Sequence, residues 1–186
     1  MSIENLPEGY RYAGGYVGLE LPLLHISPEV EVDGERLVAK PEFHMSILSV
    51  KKYAPILAEK QGTSLEEAEE EILEESGRLL TEEPTSVSDF MDELRVAEER
   101  EKKTVIIMCK TNGTENFFVG MRKALGIEIP TQPFHVTLYT RPNGLGIGLT
   151  SAQELLEQTR SLTKAESGQV RSAINFQDLA NELEHE

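Results

Sequence analysis

The chain has 186 residues, 39% of them hydrophobic and 27% charged, which is ordinary for a globular protein and long enough to bury a core without a partner. Eighteen Lys and Arg against 33 Asp and Glu leave a formal charge of −15, so the mean field repels long duplex nucleic acid and anionic membrane. A single cysteine, Cys109, leaves no disulfide framework or cysteine metal site, nothing is apolar for long enough to span a bilayer, and Met1 to Pro7 does not read as a signal peptide; a cytoplasmic protein is the expectation.

The first predicted strand runs from Gly15 to Leu21 and stops near Pro22, because proline removes a ladder donor. Two runs follow, Leu24 to Val32 and Arg36 to Lys40, joined across Asp33-Gly34, a strong hairpin signal. Phe43 to Val50 supplies another strand, and the pattern then turns helical from Lys51 to about Gly62 and from Ser64 to Leu80. The second of these opens on Ser64-Leu65-Glu66-Glu67, a capping box. Its acids, Glu66, Glu67, Glu69, Glu70 and Glu71, read as a solvated face, with an acidic patch for a basic partner as the alternative.

Turn formers at Glu82-Glu83-Pro84-Thr85-Ser86 suggest a passage from one lobe to the next. The second half offers strands at Glu93 to Glu98 and Lys103 to Lys110, a helix from Thr114 to Leu125 ending at Gly126, and a strand from Phe134 to Thr140. A glycine-rich loop, Pro142 to Gly148, precedes an N-capped helix from about Ser151 to Leu162 and a polar tail that would pack as a strand or fray. The fold class expected is α+β, a single two-lobed domain over 1–186: a first lobe at about 10–83, a second at about 84–165 and a tail at about 166–186.

Two segments share one pattern of aromatic, histidine, apolar, hydroxyl, apolar: Phe43-His44-Met45-Ser46-Ile47 and Phe134-His135-Val136-Thr137-Leu138. Strand alternation puts His44 with Ser46, and His135 with Thr137 and Tyr139, opposite the apolar positions. An imidazole beside a hydroxyl uses up core-forming positions unless something polar binds there. Histidine donates or accepts a proton near neutrality, and phosphodiester cleavage needs both acts, one on the attacking oxygen and one on the departing oxygen. Ser46 and Thr137 are the candidate ligands of the non-bridging phosphate oxygens. The sequence offers no HExxH, paired-cysteine or aspartate-rich motif, so neither a metal nor a cofactor is expected.

One H-x-[ST] occurs by chance at roughly one histidine in eight, so a single copy would mean little. A third copy, His25-Ile26-Ser27, precedes Pro28 without the leading aromatic and reads as structural, and His185 reads as incidental. The bland alternative for His44 and His135 themselves is a pair of satisfied core or surface histidines.

The paired motifs His44-Met45-Ser46-Ile47 and His135-Val136-Thr137-Leu138 resemble those of the two-histidine phosphoesterase superfamily, which includes the RNA 2′,3′-cyclic phosphodiesterases also called 2′-5′ RNA ligases. The resemblance covers about residues 10 to 165. It implies two pseudo-symmetric lobes, each an antiparallel sheet flanked by helices, with the motif strands facing across a central groove. It also implies His44 and His135 as the catalytic acid and base, Ser46 and Thr137 on the phosphate, and RNA processing as the setting. The substrate would be a nucleotide or short RNA carrying a cyclic phosphate or 2′-5′ linkage, with no membrane and no long duplex. Many members carry a basic residue shortly after the second motif; here Arg141 is near but offset.

Tyr139 and Arg141 are further candidates for substrate binding, Tyr139 by stacking or bonding to phosphate and Arg141 by charge. Sheet packing is the competing reading of Tyr139. The loop Gly144-Leu145-Gly146-Ile147-Gly148 lacks Gly-Lys-Ser/Thr and reads as a flexible rim or turn. Two other functions stand beside the enzyme: a binding module for a nucleotide or RNA end, and an acidic protein-interaction protein.

Overall fold

The computed structural model describes residues 6–142 and 144–173; His185 and the end of the polar tail lie outside the described residues. The class is α+β, with a large antiparallel sheet flanked, among the described residues, by five helices. In chain order the elements are β1 (Tyr10–Ala13), β2 (Tyr16–Leu21), β3 (Glu29–Val32), β4 (Glu35–Ala39), β5 (Phe43–Ser49), α1 (Val50–Gln61), α2 (Leu65–Glu82), β6 (Ser86–Glu99), β7 (Lys102–Asn112), α3 (Thr114–Leu125), β8 (His135–Thr140), α4 (Ala152–Gln158), β9 (Thr159–Ser161) and α5 (Lys164–Ala173). The strands follow the order β1-β2-β5-β8-β7-β6-β9, and the β3–β4 hairpin joins β8 through β4.

Several elements form for local reasons. Asp33 and Gly34 both take positive φ, the geometry a two-residue hairpin turn demands, and Val32 pairs with Glu35 across them. Helix α2 starts on a complete capping box: Ser64 Oγ accepts from the Glu67 amide at 3.2 Å while Glu67 Oε2 accepts from the Ser64 amide at 2.9 Å. Strand β1 has no counterpart in the elements expected above, although its turn to β2 falls on Gly14-Gly15. The C-terminal region also differs: the helix expected to run to Leu162 ends at Gln158, β9 follows, and α5 forms where a strand or frayed tail was expected.

Contacts divide the chain into two compact units, one of residues 1–20, 46–86 and 111–132, the other of residues 21–45, 87–110 and 133–186. Each is therefore stitched from three stretches, whereas the sequence suggested two consecutive lobes meeting near 83; Ser86 is only one of the crossing points. In the first unit α2 packs on both α1 and α3, burying Ala54, Leu57, Ala68, Ile72, Leu80, Phe118 and Met121. The Lys60 ammonium of α1 donates to the Leu125 and Gly126 carbonyls at the end of α3, at 3.2 and 2.5 Å. These are carbonyls that the helix itself leaves without partners.

The second unit holds both candidate histidines. Its strands run from the start of β5 through β8 and β7 to β6 and β9. An apolar cluster of Ala97, Ile106, Met108, Ile147 and Leu149 covers one face of β6 and β7, with Met91 and Leu155 packed against it. At one end of the unit Lys103, 4% exposed, meets Asp33 at 2.7 Å, Glu98 at 3.1 Å and Glu35 at 3.7 Å. Arg160 links the same Asp33 to Glu166. Burial pulls the Lys103 pKa down, but its hydrogen bonds to Asp33 and Glu98 outweigh that and hold it above the ordinary lysine value.

Candidate functional site

The register between β5 and β8 decides the site. Met45 sits opposite Val136, both fully buried. In an antiparallel pair the next position along is His44 opposite Thr137, on the other face of the sheet. Across β7, Met108 pairs with His135 and Ile106 with Thr137, so His135 and Thr137 share the face that carries the apolar cluster. His44, Thr137 and His135 thus form a triangle on one face of two neighbouring strands. Continuing the ladder one residue beyond Met45–Val136 sets His44 beside Thr137, a position where ideal Cβ atoms stand about 4.5–5.5 Å apart, and makes the two histidines diagonal neighbours at roughly 7–8 Å.

Exposure is graded across this face. On β5 the expected alternation holds: Phe43, Met45 and Ile47 are buried, and His44 and Ser46 half-buried. On β8 it does not; only Thr137 is half-buried and the remaining residues, His135 included, are buried. The sequence suggested that β8 would bury one face and display the other; in the fold both are covered, because the cluster residues Ile147 and Leu149 lie over the His135 side.

His135 is 6% exposed, and its Nδ1 lies 2.9 Å from the Pro133 carbonyl. A carbonyl can only accept, so Nδ1 carries the hydrogen, and in the neutral ring Nε2 holds the lone pair. Burial pushes the imidazole pKa down, and the backbone carbonyls of Pro133 and Ile147 offset that only in part. A neutral ring with a fixed tautomer at neutral pH is the form that accepts a proton.

The remaining candidates divide. Ser46 shares the half-buried side of β5 with His44 but belongs to the first unit, where its carbonyl accepts from Gln132 Nε2. Tyr139 is not on the site face. The β7–β8 register slips between Val105 and Ile106, leaving Leu138 as the extra residue, and Tyr139 then sits opposite Val105, on the same side as the buried Val136. The ring is fully buried, the hydroxyl has no hydrogen-bond partner among the described residues, and burial raises its pKa to about 12. Arg141 is committed elsewhere: its guanidinium makes a two-point ion pair with Glu35 and also donates to the Glu101 carbonyl. Its hydrogen bond to Glu35 holds that carboxyl below the usual range.

What the sequence did not reveal is the segment after β8. The chain turns at Arg141, whose carbonyl accepts from the Gly144 amide at 2.7 Å, and doubles back along the strand it has just left. A Cβ on Gly144 would stand 3.3 Å from the Thr140 side chain, and one on Gly146 would stand 3.2 Å from Thr137 Oγ1. Residues 144–149 therefore form a strap lying on the site face. Alternate glycines let its backbone come this close, and Ile147 and Leu149 anchor it. The signal was present as Gly-x-Gly-x-Gly directly after a strand, a spacing that also marks close backbone approach.

Among the described residues no group of three or more His, Cys, Asp or Glu could hold a metal ion, and no helix is long and apolar enough to cross a membrane. We found no matching family model, curated protein or solved structure for this chain.

Proposed function

We propose that this protein is a metal-independent phosphodiesterase of the two-histidine type, acting in the cytoplasm on the 2′,3′-cyclic phosphate or 2′-5′ linkage of a nucleotide or short RNA end. The family's pseudo-symmetric lobes about a central groove are part of the same proposal. The observation that carries it is the Met45–Val136 register, from which His44, Thr137 and His135 follow as neighbours on one sheet face.

For a cyclic phosphate the chemistry balances as follows. A water attacks phosphorus while the His135 Nε2 lone pair takes one of its protons. The bond from phosphorus to one ribose oxygen breaks, and His44, as imidazolium, protonates that departing oxygen to give a phosphate monoester. The Thr137 hydroxyl donates to a non-bridging oxygen as charge builds there. Arg141 is paired to Glu35, and a chain of net charge −15 favours small anionic substrates over long RNA.

The test is turnover of 2′,3′-cyclic nucleotides in the presence of a chelator. Hydrolysis should persist, and His44→Ala should lower kcat by about 10²–10⁴-fold. Hydrolysis that the chelator abolishes, or that His44→Ala leaves untouched, contradicts the proposal.

A second reading, a binding module that captures a nucleotide or RNA end without turnover, is favoured by one observation: His135 is 6% exposed and beneath the strap, as expected of a structural histidine. Calorimetric binding of a cyclic nucleotide with no product formed would select it.

A further inference from the structure

We infer that Ile147 is the positioning residue for His135, holding the strap of residues 144–149 against the imidazole and shielding it from bulk solvent; this rests on the proposed acid–base role of that ring. Three observations converge on the segment. Ile147 is buried at 3% exposure in the cluster with Ala97, Ile106 and Met108, so its side chain fixes the strap to β6 and β7. Met108 is also the residue paired with His135, so anchor and imidazole share one patch of sheet. The Ile147 backbone lies near enough to the ring to favour its protonated form, while Gly146 passes so close to Thr137 Oγ1 that a methyl group there would meet the hydroxyl at 3.2 Å.

The strap thus touches both the histidine and the hydroxyl of the second motif, and it does so through backbone: a Cβ would stand 2.7 Å from the Arg141 carbonyl at 144 and 3.2 Å from Thr137 Oγ1 at 146. The charged groups around the ring have partners: on β6, Glu93 and Arg95, which share the face of Met91 and Ala97, bind each other at 3.0 Å. On β5 the titratable neighbour is His44. On β7 Cys109 points to the opposite face with its thiol pushed up to about 12 by burial, and Lys103 and Lys110 are paired with Asp33 and Asp89. The strap itself has no titratable side chain. From α4, packed on the same cluster through Leu155, the nearby Glu154 is held by the Thr150 amide and hydroxyl. Burial is the leading cause of the downward shift of His135, and the strap lies over the sheet face that carries the ring.

The experiment is an NMR titration of the His135 ring protons in the full chain, read beside the pH profile of kcat. Ile147→Gly releases the anchor: the His135 midpoint should move up toward the ordinary histidine value, the acid limb of the profile should move with it, and kcat should fall about tenfold with KM nearly unchanged. Met91→Ala weakens the same cluster from outside the strap and should lower Tm without moving the midpoint. Should Ile147→Gly fail to fold, Gly146→Ala lifts the strap from Thr137 while keeping the anchor, and the same upward shift is expected. A midpoint unmoved in the strap variant, or moved equally by Met91→Ala, overturns the inference. Because the titration needs no substrate, a shifting midpoint in a protein that hydrolyses nothing would leave the strap's role standing and defeat the phosphodiesterase reading.

Discussion

A buried histidine and a buried tyrosine, His135 and Tyr139, sit four residues apart on the six-residue β8. The Pro133 carbonyl fixes the tautomer of His135, and burial lowers its pKa. The unfolded chain, with an ordinary histidine pKa of about 6.5, binds a proton more readily than the folded one. Stability is therefore intact above that pH and falls as pH drops through and below it. His135→Gln should flatten the fall in a denaturant series across that range. Tyr139, by contrast, buries a hydroxyl with no partner among the described residues. Tyr139→Phe should leave kcat and KM as they are and hold or raise stability, by up to about 1 kcal/mol; a raised KM would return Tyr139 to the binding face. The sequence singled out both residues, but strand parity put them on one side. Parity fails here because an extra residue, Leu138, interrupts the β7–β8 ladder, and a bulge of that kind depends on two strands far apart in sequence.

Elements were legible where their causes are local. The Asp33-Gly34 turn and the Ser64–Glu67 capping box read directly from a few adjacent residues and form as expected. The strap was misread as a rim because its glycines have meaning only once β8 is underneath them. The Lys60 contact that ends α3 was likewise invisible, since it joins α1 to carbonyls at Leu125 and Gly126. Lys60→Met should cost about 0.5–1 kcal/mol, measured as a shift in urea midpoint with unchanged slope. Arg141 belongs to the same class of finding: a residue offset from a family pattern turns out to be bound to Glu35. Arg141→Gln should therefore lower stability while leaving KM for a cyclic nucleotide within about twofold, because the ion pair carries none of the substrate's charge. A large rise in KM would show that the guanidinium leaves Glu35 to meet the phosphate.

Across the whole chain, the α+β class was readable from the alternation of strand and helix patterns. Each unit gathers three separate stretches of chain, and no local signal announces a return. A fragment ending at residue 83 contains neither unit complete, so it should remain unfolded by circular dichroism. A charge of −15 also predicts that moderate salt raises kcat/KM for an anionic substrate by screening the repulsion.

If His44 and His135 serve one phosphate in opposite roles, the pH dependence of kcat/KM on a 2′,3′-cyclic nucleotide should separate them when measured for the wild type, His44→Ala, His135→Ala and the double variant. The wild type should give a bell whose acid limb disappears with His135 and whose alkaline limb disappears with His44, and the double variant should be little worse than either single one. Losses that multiply independently, or a bell that survives both substitutions, would contradict the account.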